Sequence, residues 1–195
     1  MNKAVSDVRE CMDEVEIERS LSRIAHQILE HNKGCENIAI VGIVTRGDIL
    51  AKKLAQKIFD IEGESPPIGR LDISLYRDDF LSHICAEVHS TFLPFDLDGK
   101  NIILVDDVLY TGRTVRAALE AIIDSVRPAS IQLAVLVDRG HKELPIKADF
   151  VGKNIPSSKT ENIRLYLKEV DGRSCVELSQ IEFGDRAGSA PLGGK

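Results

Sequence analysis

The 195 residues predict an α/β fold, a mainly parallel central sheet flanked by helices. Three observations carry that expectation. Residues 102–126 read as a buried strand, a short polar connection and a helix, and residues 38–61 repeat the unit. The strongest apolar runs also end in polar clusters: Thr45-Arg46-Gly47, Asp106-Asp107 and Asp138-Arg139-Gly140-His141. Strands covered on both faces read as near-continuous apolar runs. In open parallel sheets the ligand crevice lies beyond the carboxyl ends of the strands. The three clusters are therefore expected around one crevice.

Taken in order, residues 1–14 read as a frayed lead-in. From 15 to 33, Ile17, Leu21, Ile24, Ala25, Ile28 and Leu29 recur at helical spacing, and Gly34 follows as a stop. Residues 38–44 form an apolar strand, and 48–61 resume helical periodicity through Ile49, Leu50, Leu54, Ala55 and Ile58. Pro66-Pro67 breaks the chain, and 68–75 alternate partly, as a strand nearer an edge does. Residues 76–99 are irregular and read as an arm or short hairpin, a length of loop that usually serves as a lid or binding segment. After the central strand comes a helix at 114–126, then a buried strand at 130–137. Short strands are expected at 149–153 and 163–170, and a last edge strand at 174–183. Residues 1–183 are read as one domain, with a disordered tail at 184–195.

Composition bounds the function. The length suits one domain with a sizeable core. Apolar content is 43% and charged content 29%, ordinary for a globular chain. No apolar run reaches the ~18 residues of a membrane span. The N-terminus lacks the apolar region of a signal peptide. Cys11, Cys35, Cys85 and Cys175 are scattered and form no Cys-x-x-Cys pair, which points to a reducing cytoplasm. The net charge of -6 argues against a broadly basic nucleic-acid binder, so an anionic ligand has to be held by local donors.

The stretch 102–114, IILVDDVLYTGRT, supplies such donors. The first N–H groups of a helix have no internal partner, and the helix dipole adds positive charge there. A Thr-Gly turn in front of them makes a phosphate-sized nest, to which Thr111 and Thr114 add hydroxyls. Asp106 and Asp107 cannot bind phosphate, but they can accept hydrogen bonds from paired ribose hydroxyls or hold a metal. A sugar phosphate satisfies both halves. Either half alone also reads as an ordinary acidic turn or helix cap. No Walker or Rossmann glycine pattern competes with this reading. Arg46 likewise reads as a helix cap or ion-pair partner as well as a ligand-binding residue.

These residues carry a family resemblance. The run VDDVLYTGRT resembles the phosphoribosyl-pyrophosphate (PRPP) motif of the type I phosphoribosyltransferases. Together with TRG at 45, LDISLYRDD at 71, SIQLAVLVDRGHKELPIKAD at 130 and VGKNIPSS at 151, it is similar to the PyrR family, over about residues 15–183. Those proteins couple uracil phosphoribosyltransferase activity to mRNA-based regulation of pyrimidine genes. The resemblance implies a type I phosphoribosyltransferase fold with a small hood and a flexible loop. It implies transfer from PRPP to uracil, giving UMP and pyrophosphate, with Mg2+ carried by PRPP and touching Asp106 and Asp107.

Residue by residue, Asp106 and Asp107 would hold the ribose. Val108, Leu109, Tyr110, Thr111, Gly112, Arg113 and Thr114 would form the 5-phosphate loop. Thr45, Arg46 and Gly47 match the pyrophosphate loop, which in the family commonly carries a non-proline cis peptide. Arg77 would close over pyrophosphate, so Asp106, Asp107, Arg46 and Arg77 are the catalytic candidates. Uracil supplies the attacking nitrogen, so no protein nucleophile is required; Asp107 and Asp78 are the candidates to assist proton movement. Arg139, Gly140, His141, Lys153, Asn154 and Ile155 would surround the base. UMP and UTP would act as regulatory ligands, and leader mRNA would meet Arg19, Arg23, Lys142, Lys147, Arg164 and Lys168.

The segment after Arg77 has no Lys or Arg before Lys100, which weakens the RNA reading. Two alternatives stand beside the enzyme: a non-catalytic nucleotide-sensing regulator, and a phosphoribosyltransferase for another base. None of His26, His31, His83 and His89 forms a metal-binding pattern. Phe80, Leu81, Ile84, Phe92, Leu93 and Phe95 exceed what a free lid should expose, which predicts a homodimer or tetramer.

Overall fold

The structure is a computed structural model and describes residues 8–74, 91–93 and 97–180. The expectations for Arg77, Asp78, His83, Cys85, His89, the apolar residues Phe80, Leu81, Ile84 and Phe95, and the tail lie outside these residues.

In chain order the elements are β1 (Arg9–Met12), α1 (Glu14–Asn32), β2 (Ile38–Ile43), α2 (Arg46–Glu62), β3 (Ile68–Leu71), β4 (Asn101–Leu109), α3 (Arg113–Ser125), β5 (Ser130–Asp138), β6 (Phe150–Asn154), β7 (Glu161–Tyr166), α4 (Lys168–Asp171) and β8 (Cys175–Gln180). The main sheet has five strands in the order β3-β2-β4-β5-β6, and every neighbouring pair is parallel. From β2 the chain moves to one side to lay down β3. It then crosses to the other side of β2 for β4, β5 and β6. The order therefore reverses between β2 and β4, and a crevice opens at such a switch point.

Local chemistry explains where the helices begin. Asp13 and Glu16 form a reciprocal capping box: the Glu16 N–H donates to Asp13 Oδ1 at 2.7 Å, and the Asp13 N–H donates to Glu16 Oε2 at 3.2 Å. α1 ends at Lys33 in the left-handed conformation, one residue before the expected glycine stop. The sheet's faces are buried separately. α1, α2 and the inner side of the second sheet cover one face, and α3 covers the other.

Four expectations are corrected. The lead-in is not wholly frayed, because β1 pairs antiparallel with β8 (Arg9↔Leu178). Residues 163–170 are not one strand: β7 stops at Tyr166 and the one-turn α4 follows. β8 is not an edge strand but the centre of a three-stranded antiparallel hood, β1-β8-β7. Finally, Asp106 and Asp107 do not form a turn. β4 runs on through them because its ladder with β5 continues (Asp106↔Val135, Leu109↔Asp138) after pairing with β2 ends at Gly42↔Val105. Of the irregular segment, Phe92 returns to bridge Arg70 of β3, and the Asp72 N–H donates to Thr91 Oγ1 at 3.2 Å.

Candidate active site

At the switch point lies a crevice of about 510 Å³. It is lined by Ile43, Val44, Thr45 and Arg46 after β2, by Asp72, Ile73 and Ser74 after β3, by Asp106, Asp107 and Val108 of β4, and by Thr114 of α3. Two of the three sequence clusters thus meet there. The Asp72–Ser74 contribution was missed from sequence, although the carboxyl-end rule applied to β3 finds it. Asp72 is held as a turn by the Ser74 N–H, which donates to its Oδ1 at 2.8 Å.

Each carboxylate of the acidic pair is oriented by the next backbone amide. The Asp107 N–H donates to Asp106 Oδ1 at 2.9 Å, and the Val108 N–H donates to Asp107 Oδ1 at 2.7 Å. Asp106 is almost buried, whereas Asp107 is half-buried. Both carboxylates are therefore held in fixed orientations at the wall of the crevice.

Opposite them, the peptide bond Val44–Thr45 is cis, Thr45 caps α2, and Arg46 is its first residue. Gly47 allows α2 to start against the central strand: a Cβ there would collide with the Val105 carbonyl oxygen. Gly42 plays the reciprocal part, since its Cβ would meet the backbone of Gly47 and Asp48. Arg46 is an ion-pair partner as well as a crevice residue, with Nη2 3.0 Å from Asp171 Oδ1. The Leu167 N–H, and then the Arg46 guanidinium, hold the Asp171 carboxyl below the usual range.

The phosphate loop divides its labour. Leu109 is buried in the core, so only its backbone can serve a ligand. Gly112 takes φ 90 as the cap of α3, a left-handed conformation that favours glycine. Thr111 accepts the Glu143 and Leu144 N–H groups on its carbonyl at 3.0 and 3.2 Å, which ties the loop to the segment after β5. The Arg113 side chain turns outward to Glu143, with Nε 2.9 Å from Oε2, so its part in a phosphate nest is confined to the backbone.

The base-side candidates lie apart from this crevice's lining. Arg139 is only 5% exposed, and its guanidinium faces the hood. Nε donates to Ser157 Oγ at 2.9 Å, Nη2 donates to the Ser158 and Glu161 carbonyls at 3.2 and 2.7 Å, and the cation stacks over Tyr110 at 4.0 Å. Burial lowers its pKa. Expected as a base-side residue, Arg139 ties hood to sheet through its side chain. Its replacement by alanine leaves those carbonyls unpaired and is expected to cost about 3 kcal/mol of stability. Lysine should restore less than half of that, lacking the planar fork. Urea unfolding reads both values, and equal stability of all three proteins would refute the tie.

His141 sits at φ 57 with Nε2 against the Ser157 carbonyl, and Gly140 donates its N–H to Asp138 Oδ1 at 2.9 Å. Lys153 reaches the Cys11 carbonyl at 2.9 Å and Glu16 at 3.1 Å. Asn154 ends β6 opposite Asp138, and the buried Ile155 donates its N–H to the Asp138 carbonyl at 2.9 Å.

The basic residues read for RNA are spread over several elements. Arg19 and Lys147 are exposed, and Lys168 is exposed on α4. Arg23 is bound to the Val151 and Gly152 carbonyls, Lys142 pairs with Asp138 at 2.9 Å, and Arg164 lies over Tyr166 at 5.0 Å. Phe92 is 58% exposed, and Leu93 packs partly against the α3-side core. No helix among the described residues is long and apolar enough to cross a membrane.

The phosphoribosyl transferase domain matches residues 10–169. A bifunctional protein PyrR from Acetivibrio thermocellus is 54% identical over 182 residues, 92% of this chain and 98% of that protein. The namesake from Deinococcus radiodurans is 59% identical over 86% of this chain and 92% of its own. That from Thermus thermophilus is 58% identical over 89% and 96%. Among solved structures, a Bacillus anthracis hypoxanthine-guanine phosphoribosyltransferase superposes with a TM-score of 0.67 at 19% identity, covering 88% of this chain and 97% of that one. At that identity the likeness speaks for the fold alone.

Proposed function

The chain belongs to the PyrR family of the phosphoribosyltransferases, and from that premise we propose that it transfers the phosphoribosyl group of PRPP to uracil, giving UMP and pyrophosphate, and regulates pyrimidine genes by binding leader mRNA in response to UMP and UTP. One observation carries the catalytic half. Thr45 and Arg46 face Asp106, Asp107 and Thr114 across a single crevice at the switch point. A pure monophosphate sensor needs the phosphate nest and the acidic pair, but not a second anion loop opposite them.

The residues divide the substrate between them. The nest of Thr111, Gly112, Arg113 and Thr114 takes the 5-phosphate by backbone N–H groups and hydroxyls. Asp106 and Asp107 accept the ribose hydroxyls. Thr45, Arg46 and Gly47 take the pyrophosphate, and Arg77 joins them over the leaving group. The bond from C1 to pyrophosphate breaks as the uracil nitrogen bonds to C1 and gives up its proton, with Asp107 and Asp78 the candidates to accept it, so negative charge gathers on the departing pyrophosphate beside Arg46. Two carboxylates beside a diphosphate suit Mg2+, which usually keeps one or two carboxylates plus substrate phosphates as ligands. Bound there, it would neutralise the departing pyrophosphate.

On the base side, Gly140, His141 and the Lys153–Ile155 backbone flank uracil, with Arg139 holding the hood in place. RNA would be met by Arg19, Arg23, Lys142, Lys147, Arg164 and Lys168, gathered by a homodimer or tetramer in the cytoplasm. In the domain reading, residues 76–99 form the arm of a single domain at 1–183, followed by a tail.

The test is PRPP-dependent conversion of labelled uracil to UMP, with hypoxanthine, guanine and orotate as competitors. Turnover specific to uracil is expected. Preference for another base would reassign the substrate. Retained UMP binding without any turnover would make the protein a nucleotide-sensing regulator.

A further inference from the structure

An ion pair joins the hood to the pyrophosphate side of the crevice. Arg46 Nη2 donates to both oxygens of Asp171, at 3.0 and 3.2 Å. Asp171 is the last residue of α4, and its Oδ2 also accepts the Leu167 N–H at 2.9 Å. The carboxylate is thus fixed by its own turn before it meets the arginine. Neither side chain is more than one-fifth exposed. Arg46 Nε is buried without a hydrogen-bond partner among the described residues, so this ion pair is what sets the direction of the guanidinium. Two turns further along α2, Lys53 reaches Glu169 of the same short helix at 3.0 Å. Lys53 and Lys57 also reach Glu18 of α1 at 3.4 and 2.7 Å. α4 is therefore strapped to α2 at two points on one helical face.

We infer that Asp171 is a positioning residue, holding the Arg46 guanidinium from the hood at the wall of the crevice so that it receives a diphosphate already ordered. A long side chain otherwise loses rotamer freedom when the ligand binds. Asp171 engages one terminal nitrogen of the guanidinium, so the pair and a diphosphate do not exclude each other by donor count. The carboxylate also offsets the arginine's charge, which opposes anion binding. Ordering outweighs it, because Asp171 is already tied to Leu167 and sits behind the arginine in the fold rather than among the crevice-lining residues. This inference rests on the reading of the crevice as a PRPP site.

Calorimetric titration with magnesium pyrophosphate, PRPP and UMP tests it on the wild-type chain, Asp171→Asn, Asp171→Glu, Arg46→Ala and the Arg46→Ala/Asp171→Asn double variant. Asp171→Asn is expected to weaken pyrophosphate and PRPP about tenfold. UMP, which carries no diphosphate, should bind as before. Asp171→Glu should recover part of the loss. In the Arg46→Ala background the second substitution should add nothing, as required of a residue that acts through another. Unchanged or tighter pyrophosphate binding, an equal loss for UMP, or an additive double variant would each overturn the inference. A wild-type chain that binds UMP but neither PRPP nor pyrophosphate would instead refute the proposed transferase, and the positioning role with it.

Discussion

Asp107→Asn is expected to lower uracil-dependent kcat/KM by about 10²- to 10³-fold, the scale of removing one preorganised electrostatic group. The substitution is close to isosteric. Its side-chain oxygen can still accept the Val108 N–H, now at 2.7 Å from the carboxylate. Asp107 is half-buried at the crevice, so stability should change by less than about 1 kcal/mol. What is lost is charge and one acceptor. An amide offers a ribose diol one acceptor and two donors where the carboxylate offers acceptors only. It also cannot stabilise the positive charge that gathers on the ribose as pyrophosphate departs. Steady-state kinetics with thermal unfolding as a control reads both effects. Turnover within tenfold of the wild type would mean that the acidic pair does not hold the ribose.

Asp107 and its neighbours are legible in the sequence. The parallel core could be read because its strands are covered on both faces and announce themselves as apolar runs, such as Ile38–Ile43 and Ile102–Val105. The crevice could be read because carboxyl ends of parallel strands gather, which brings Arg46 to Asp106 although they lie on different units. The resemblance implied a hood, but its strand pairing was not legible, for the opposite reason. Its pairing joins the two ends of the chain, Arg9 to Leu178, and an alternating pattern carries no record of so distant a partner. Asp171 was invisible likewise: nothing near it in sequence points to an arginine 125 positions away. The tie that Arg139 makes to the hood was not legible either, because its partners Ser157 and Ser158 lie in the irregular connection before β7 and Glu161 is the first residue of that strand. Gly47 was legible as a loop glycine, but the reason for it was not.

That reason gives the second large effect. Alanine within a helix is ordinarily more stable than glycine by about 1 kcal/mol. At Gly47 the sign reverses. The added Cβ would overlap the Val105 carbonyl oxygen and come within 3.3 Å of Asp106 Cα. Neither atom can give way. Val105 lies in the middle strand of the sheet, opposite Gly42 on one side and Ala134 on the other. The start of α2 must move instead, and it carries Thr45 and Arg46 with it, away from the acidic pair. Gly47→Ala is therefore expected to cost about 1–3 kcal/mol, as overpacking does. It should also lower kcat/KM by about 10²-fold, the effect of displacing a catalytic group by roughly an ångström. Gly63→Ala separates these two consequences. Gly63 caps the far end of α2 at φ 78 with open space around its Cβ. Alanine there is strained by about 1 kcal/mol through backbone conformation alone, and kcat/KM should hold. If both variants lose stability but only Gly47→Ala loses turnover and pyrophosphate affinity, the close contact of α2 with β4 sets the width of the crevice. If Gly47→Ala keeps full activity, the pyrophosphate loop does not depend on that contact, and the placement of Arg46 rests on the hood alone.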